Sequence, residues 1–221
     1  MCNIREITED MIIALRESLK AQNERGEMSD KRYNHTLEVE KMAARIGALY
    51  APDKINTLRA AALLHDITKE YSTELHLKIC AERDIPLTEQ DVLAAKTLHA
   101  RTAAAVIPER YPEIATPEVI SAVRWHTTGK AGMSICERII YLADYIDMSR
   151  KFGDCVALRD YFFGADIEAM TEEERQAHLD ETLLISYDMT MRGLIEKSAP
   201  ISPETIAARN ELAVLHIKRR G

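Results

Sequence analysis

The chain has 221 residues, 46% of them hydrophobic, and 36 acidic against 29 basic side chains give it a net charge of −7. That length and apolar content allow one folded domain, or one domain with an extension, and exclude a disordered chain. The negative balance argues against a nucleic-acid polymer or an anionic membrane as main partner and leaves room for a small anion in a local pocket.

With 8 glycines, 7 prolines and only 5% aromatic residues, in a background rich in Ala, Leu, Ile, Glu and Met, the composition predicts an all-α protein. The first ten residues are too charged for a secretory core, and no apolar run reaches the ~20 residues needed to span a bilayer. A cytoplasmic protein, monomer or homodimer, is the expectation. Cys2, Cys80, Cys136 and Cys155 show no C-x-x-C spacing, so reduced, mostly buried thiols are expected.

In chain order, Ile7, Met11, Ala14, Leu15 and Leu19 recur at helical spacing before Gln22–Glu27 breaks the pattern. Ser29-Asp30 offers a helix cap, and Val39, Met42, Ile46 and Leu49 form the stripe of the next helix, with His35 four residues before Val39. A helix beginning near Ile55 then carries Ala61-Ala62-Leu63-Leu64-His65-Asp66-Ile67-Thr68-Lys69. On a continued helix, at ~100° per residue, His65 and Asp66 lean toward one point and Lys69 follows one turn on. Alone, such a His-Asp pair is more often a plain buried hydrogen bond.

Tyr71–Ala81 reads as a shorter helix on which His76, between Glu74 and Lys78, is a solvated residue without function. His99, Ala103 and Val106 share a stripe that Pro108 is expected to stop. Pro117 suits the first turn of a helix whose stripe Val119, Val123, His126 ends in another histidine. Behind it, Thr127-Thr128-Gly129-Lys130 is either a simple helix end or a phosphate contact. In the apolar helix Ile139–Ile146, Asp144 is a carboxylate whose burial needs a cation. Arg150, Lys151 and Arg159 form either a solvated face or a cover over an anion. A long helix from Thr171 toward Ile195 and a last one ending Ile217-Lys218-Arg219-Arg220 complete the chain, and His178 and His216 receive no role.

His35, His65, Asp66, His99, His126 and Asp144 thus fall on or beside the buried faces of five helices. Imidazole and carboxylate donors suit iron, manganese, zinc or nickel better than magnesium or calcium, and six exceed what one structural ion needs. Two ions bridged by Asp66 would use all six.

The order H…HD…H…H…D resembles the HD superfamily of metal-dependent phosphohydrolases. Arg32-Tyr33-Asn34-His35-Thr36-Leu37, Ala61–Lys69, His126-Thr127-Thr128-Gly129, Ile139–Ile146, Leu158-Arg159 and the tail around Ala199-Pro200-Ile201-Ser202-Pro203 are similar to the YqeK-like symmetrical bis(5'-nucleosyl)-tetraphosphatases. Departures lie at Arg101-Thr102-Ala103 and Asp147-Met148, beside the ligand positions.

The resemblance implies an HD-domain helical bundle over residues 1–165 with a C-terminal helical extension over 166–221. It also implies hydrolysis of diadenosine tetraphosphate to two ADP through a metal-bound hydroxide. The cofactor would be one or two divalent transition-metal ions, iron first, with manganese, nickel or zinc as substitutes. Asp66 and Lys69 would be catalytic, and Lys69, Thr127, Thr128, Gly129, Arg150 and Arg159 would meet the nucleotide substrate. Two alternatives remain: another HD phosphohydrolase, acting on deoxynucleotides or cyclic dinucleotides, and a non-enzymatic HD scaffold. The first leaves His99 and His126 idle or needs a Gly-Tyr-Pro signature that is absent, and the second usually lacks ligands that are present here.

Overall fold

A computed structural model describes residues 6–221; Cys2 and the charged first residues, on which part of the localisation argument rests, lie outside them. Among the described residues there are eleven α-helices and no strand, so the all-α expectation holds. They are α1 (Glu9–Glu24), α2 (Asp30–Tyr50), α3 (Ile55–Leu64), α4 (Thr73–Glu82), α5 (Glu89–Leu93), α6 (Leu98–Arg110), α7 (Pro117–Trp125), α8 (Ile135–Ile146), α9 (Gly153–Gly164), α10 (Glu172–Glu196) and α11 (Pro203–Arg220). Among the described residues, no helix is long and apolar enough to cross a membrane.

The centre of the bundle is α3. Leu58 and every residue from Ala60 to Leu64 are fully buried, as befits a helix apolar all round. Around it pack α2, α7 and α8, with α1 on its outer side, while α6 leans on α7 and α4 on α6. Contact between α2 and α3 is close because Gly47 has no side chain: a Cβ there would lie 2.5 Å from Leu58 Cδ1. Val39, Met42, Ala43 and Ile46 bury the inner face of α2. Ser29 caps α2 by accepting from the Arg32 amide, as expected, and Pro117 opens α7.

Several local expectations change. Pro108 does not stop α6, which runs on to Arg110; so close to the helix end it forfeits one backbone bond. The short α5 and the whole of α9 have no clear stripe in the sequence. His178 is buried and contacts the Phe162 carbonyl at 3.0 Å, joining α10 to α9. Cys80 and Cys136 are buried free thiols, and Cys155 is half-buried. At the C-terminal end α10 packs on α8 and α9, and α11 packs on α10. The buried Asp180 carboxylate, held by Arg138 at 2.5 Å and Arg219 at 2.8 Å, pins α10 between α8 and α11.

Candidate metal centre

Five segments deliver the candidate ligands to one place. His35 comes from the second turn of α2, His99 from the first turn of α6 and Asp144 from the last turn of α8. His65 and His126 are the C-cap residues of α3 and α7. The helix predicted to continue through Lys69 therefore ends at Leu64, and residues 65–70 are turns. The cause lies in the histidine itself. His65 Nδ1 is 2.6 Å from the Ala62 carbonyl, the acceptor that the Asp66 amide needs in a continued helix. His126 does the same at the end of α7, its Nδ1 2.7 Å from the Val123 carbonyl, and His99 Nδ1 is 2.8 Å from the Lys96 carbonyl. In each case Nδ1 is turned to a backbone carbonyl, so it is Nε2 that points inward.

Asp66 sits between two groups of donors. Its Oδ2 is 3.4 Å from His65 Nε2 and 3.7 Å from His35 Nε2. Asp144 Oδ1 completes that side, 3.0 Å from His35 Nε2 and 3.8 Å from His65 Nε2. On the other side Asp66 Oδ1 is 3.1 Å from His99 Nε2 and 3.5 Å from His126 Nε2, which are themselves 3.0 Å apart. Donor separations of about 3.0–3.4 Å are what bonds of ~2.1 Å around one ion produce. His35 Nε2, His65 Nε2 and Asp66 Oδ1 are buried without a hydrogen-bond partner among the described residues. Such atoms are costly unless something binds them, so the residues fit a divalent metal. Ligand atoms of His35, His65 and Asp144, and of His65, Asp66 and His126, lie within 4.8 Å of one another.

Electrostatics differ across the site. Burial opposes ionisation of Asp66, but the imidazoles of His65, His126 and His99 hold its carboxyl well below the usual range. Asp144, equally disfavoured by burial, is kept ionised by Arg150 and His35. Burial lowers His35, yet the Asp144 and Asp147 carboxylates beside its ring reverse this and raise it to about 9. Burial pushes His99 down to about 4 against the pull of Asp66, and lowers His126 too. Lys69 is also lowered by burial, Asp66 and Asp144 pulling the other way.

The remaining expected residues divide into two groups. Lys69 Nζ stands 3.0 Å from His99 Nε2 and 3.9 Å from Asp66 Oδ1, and Thr127 Oγ1 stands 3.0 Å from both His99 and His126 Nε2. Arg150 pairs with Asp144 Oδ1 and donates from Nε to the Asp144 carbonyl at 3.0 Å. These three line the centre. Arg159 instead donates from one nitrogen to the carbonyls of Ile146 at 3.1 Å and Asp147 at 2.6 Å, fixing the turn after α8 from behind. Thr128 gives its hydroxyl to the Gly129 carbonyl, and its own carbonyl accepts from Thr205 at 2.9 Å. Gly129 has φ +63°, and a Cβ there would lie 1.8 Å from the Tyr187 hydroxyl. Gly129 thus shapes the turn.

Three residues at the site are absent from the sequence-based set. Arg32 pairs with Asp66 Oδ2; it lies three residues before His35, on the same face of α2. Asp147 is fully buried behind His35, its Oδ2 3.5 Å from Nδ1, and Ser149 Oγ is 3.1 Å from the same nitrogen. A carboxylate behind a ligand histidine fixes its ring and raises its basicity. His76, expected in solvent, is 4% exposed. The signal was in its spacing to Ile79 and Cys80, three and four residues on, which outweighs its charged neighbours.

Comparison with known proteins agrees with this geometry. A family model of the HD domain matches residues 32–149. A symmetrical bis(5'-nucleosyl)-tetraphosphatase of Halalkalibacterium halodurans is 32% identical over 187 residues, 84% of this chain and 90% of the relative. Its counterpart in Bacillus subtilis is 28% identical, covering 84% and 91%. A crystal structure of a predicted HD superfamily hydrolase involved in NAD metabolism from Clostridium acetobutylicum superposes with a TM-score of 0.76 at 29% identity, covering 92% of this chain and 97% of that one. The fold, the H…HD…H…H…D order and these relatives lead to one conclusion: the chain belongs to the HD domain family.

Proposed function

We propose that this protein hydrolyses dinucleoside tetraphosphates symmetrically, diadenosine tetraphosphate giving two ADP. The observation that carries the reading is the Asp66 carboxylate, which turns one oxygen to each of two donor sets and so suits a bridged metal pair; the tetraphosphatase relatives supply the substrate class. Iron is the first choice of metal and manganese, nickel or zinc the substitutes, since the donors are imidazoles and carboxylates. Divalent ions held there supply Lewis acidity and lower the pKa of water toward ~7.

The protein's own residues then have distinct tasks. His35, His65, Asp66 and Asp144 hold one side, and Asp66, His99 and His126 the other. Lys69 and Thr127, already against the His99 side, bind the non-bridging oxygens of the attacked phosphate. Arg150, and Arg32 once Asp66 turns to metal, offset charge on the neighbouring phosphates. The water oxygen bonds to one central phosphorus, the P–O bond to the central bridging oxygen breaks, and each half leaves as a nucleoside diphosphate.

We take residues 1–165 as the HD core and 166–221 as its extension, because α10 and α11 reach the Thr127–Gly129 turn from outside. The test is product chromatography in oxygen-18 water. ADP alone, half of its molecules labelled, is expected. ATP with AMP would overturn the symmetric cut. Turnover of deoxynucleotides or cyclic dinucleotides without any dinucleoside polyphosphate would overturn the substrate class.

A further inference from the structure

Behind the His99 side of the centre runs a buried polar chain that no step above uses. His76 Nδ1 on α4 is 2.9 Å from Thr102 Oγ1 on α6; Thr102 Oγ1 is 2.9 Å from Thr68 Oγ1; and Thr68 Oγ1 is 2.9 Å from the His99 carbonyl oxygen. All four residues are at most 4% exposed.

Counting protons orients the chain. Each hydroxyl has one proton. The His99 carbonyl can only accept, so Thr68 spends its proton there. The contact between the two threonines then needs the proton of Thr102, and the last contact needs a proton on His76 Nδ1. The Leu98 and His99 carbonyls, 3.2 Å from Thr102 Oγ1, are the longer alternatives for Thr102, and choosing either would leave two hydroxyl oxygens 2.9 Å apart with no proton between them.

We infer that His76 is a positioning residue for the His99–His126–Asp66 side of the centre, acting as a neutral Nδ1–H donor that fixes Thr102, Thr68 and through them the HD turn against α6. Thr68 lies between Asp66 and Lys69 in sequence, and its acceptor is the backbone of His99. One hydrogen bond therefore sets the spacing between the element bearing Asp66 and Lys69 and the element bearing His99. His35 and Asp144 stand on α2 and α8 and take no part in the chain. Loss of the anchoring proton should loosen one side of the centre and spare the other. Such outer hydrogen bonds typically change metal affinity ~10–100-fold.

This inference rests on the proposed metal pair, and its first test does not. Long-range proton–nitrogen correlation spectra of nitrogen-15-labelled, metal-free protein read the tautomer directly: a proton on His76 Nδ1 is expected, and a proton on Nε2 would overturn the chain. The second test is manganese(II) titration followed by paramagnetic resonance. Wild type should bind two ions, and His76→Ala and Thr68→Val should each weaken one of the two by ~10–100-fold. His76→Asn, whose amide nitrogen can stand where Nδ1 stood, should restore it. Unchanged affinities in His76→Ala, equal loss of both ions in a folded variant, or no rescue by Asn would overturn the positioning role. Should His76→Ala fail to fold, Thr68→Val and the wild-type tautomer still decide. A wild type that binds no manganese would refute the metal pair itself.

Discussion

The two sides of Asp66 are built differently. On the Oδ2 side a second carboxylate, Asp144, joins two histidines, and two arginines, Arg32 and Arg150, rest on the carboxylate oxygens. His35 there is raised to about 9. On the Oδ1 side no second carboxylate approaches: His99 and His126 are held neutral by burial, and Lys69 and Thr127 crowd their free nitrogens. One side concentrates charge and must exchange protons and arginines for metal. The other offers two neutral imidazoles. Under the proposed metal pair, Asp66 would serve two ions in contrasting surroundings.

Removing the bridge should erase the contrast. Asp66→Ala, with Asp66→Asn as the isosteric control, is expected to empty both sides and cut turnover about a thousandfold or more, since metal chemistry supplies several kcal/mol of transition-state stabilisation. Elemental analysis and rate measurements check it, and a variant retaining one full equivalent of metal would mean the two sides are independent.

Lys69→Ala sharpens the difference between holding metal and using it. A charged hydrogen bond is worth about 1.5–3 kcal/mol, so kcat should fall roughly 10–100-fold while metal content stays at the wild-type value. Loss of metal together with rate would place Lys69 among the structural supports of the His99 side.

The smallest effect, a proton count, tests the contrast most directly. Metal-free His35 keeps its proton until pH rises through about 9, so at pH 7.5 metal binding on its side must release one proton. Affinity there should gain about tenfold per pH unit between ~7 and ~9. His99, pushed down to about 4, is already neutral at pH 7.5 and releases none. Calorimetry of His99→Ala and His35→Ala in buffers of different ionisation enthalpy should find about one proton for the first and about none for the second.

Much of this centre is legible in the sequence because buried polar groups interrupt apolar helical stripes: His35 ahead of Val39 and Asp144 inside Ile139–Ile146 break a pattern that is otherwise simple. What escapes is whatever depends on side chains bonding to backbone. The end of α3 at Leu64 follows from the His65 ring taking the Ala62 carbonyl, a choice that periodicity cannot reveal. Arg32 and Asp147 escape for another reason: a charged residue near a helix end reads as solvated until its partner across the fold is known. The charged neighbours of His76 hide its burial, and nothing in the sequence shows that one Arg159 nitrogen serves carbonyls close by.

The clamp on the Thr127–Gly129 turn bears on how the protein ages at high temperature. Thr205 of α11 holds the Thr128 carbonyl, and Tyr187 of α10 fills the space that only a glycine leaves open. The turn beside His126 is therefore shaped by a helical hairpin at the C-terminal end of the fold, and the prediction is that this hairpin opens at lower free energy than the central helices. Once the hairpin lifts, Thr127 loses its backing while α2, α3 and α8 remain folded. Thermal inactivation should then precede global melting, with the lifetime of activity set by hairpin detachment and recoverable on cooling for as long as the core persists.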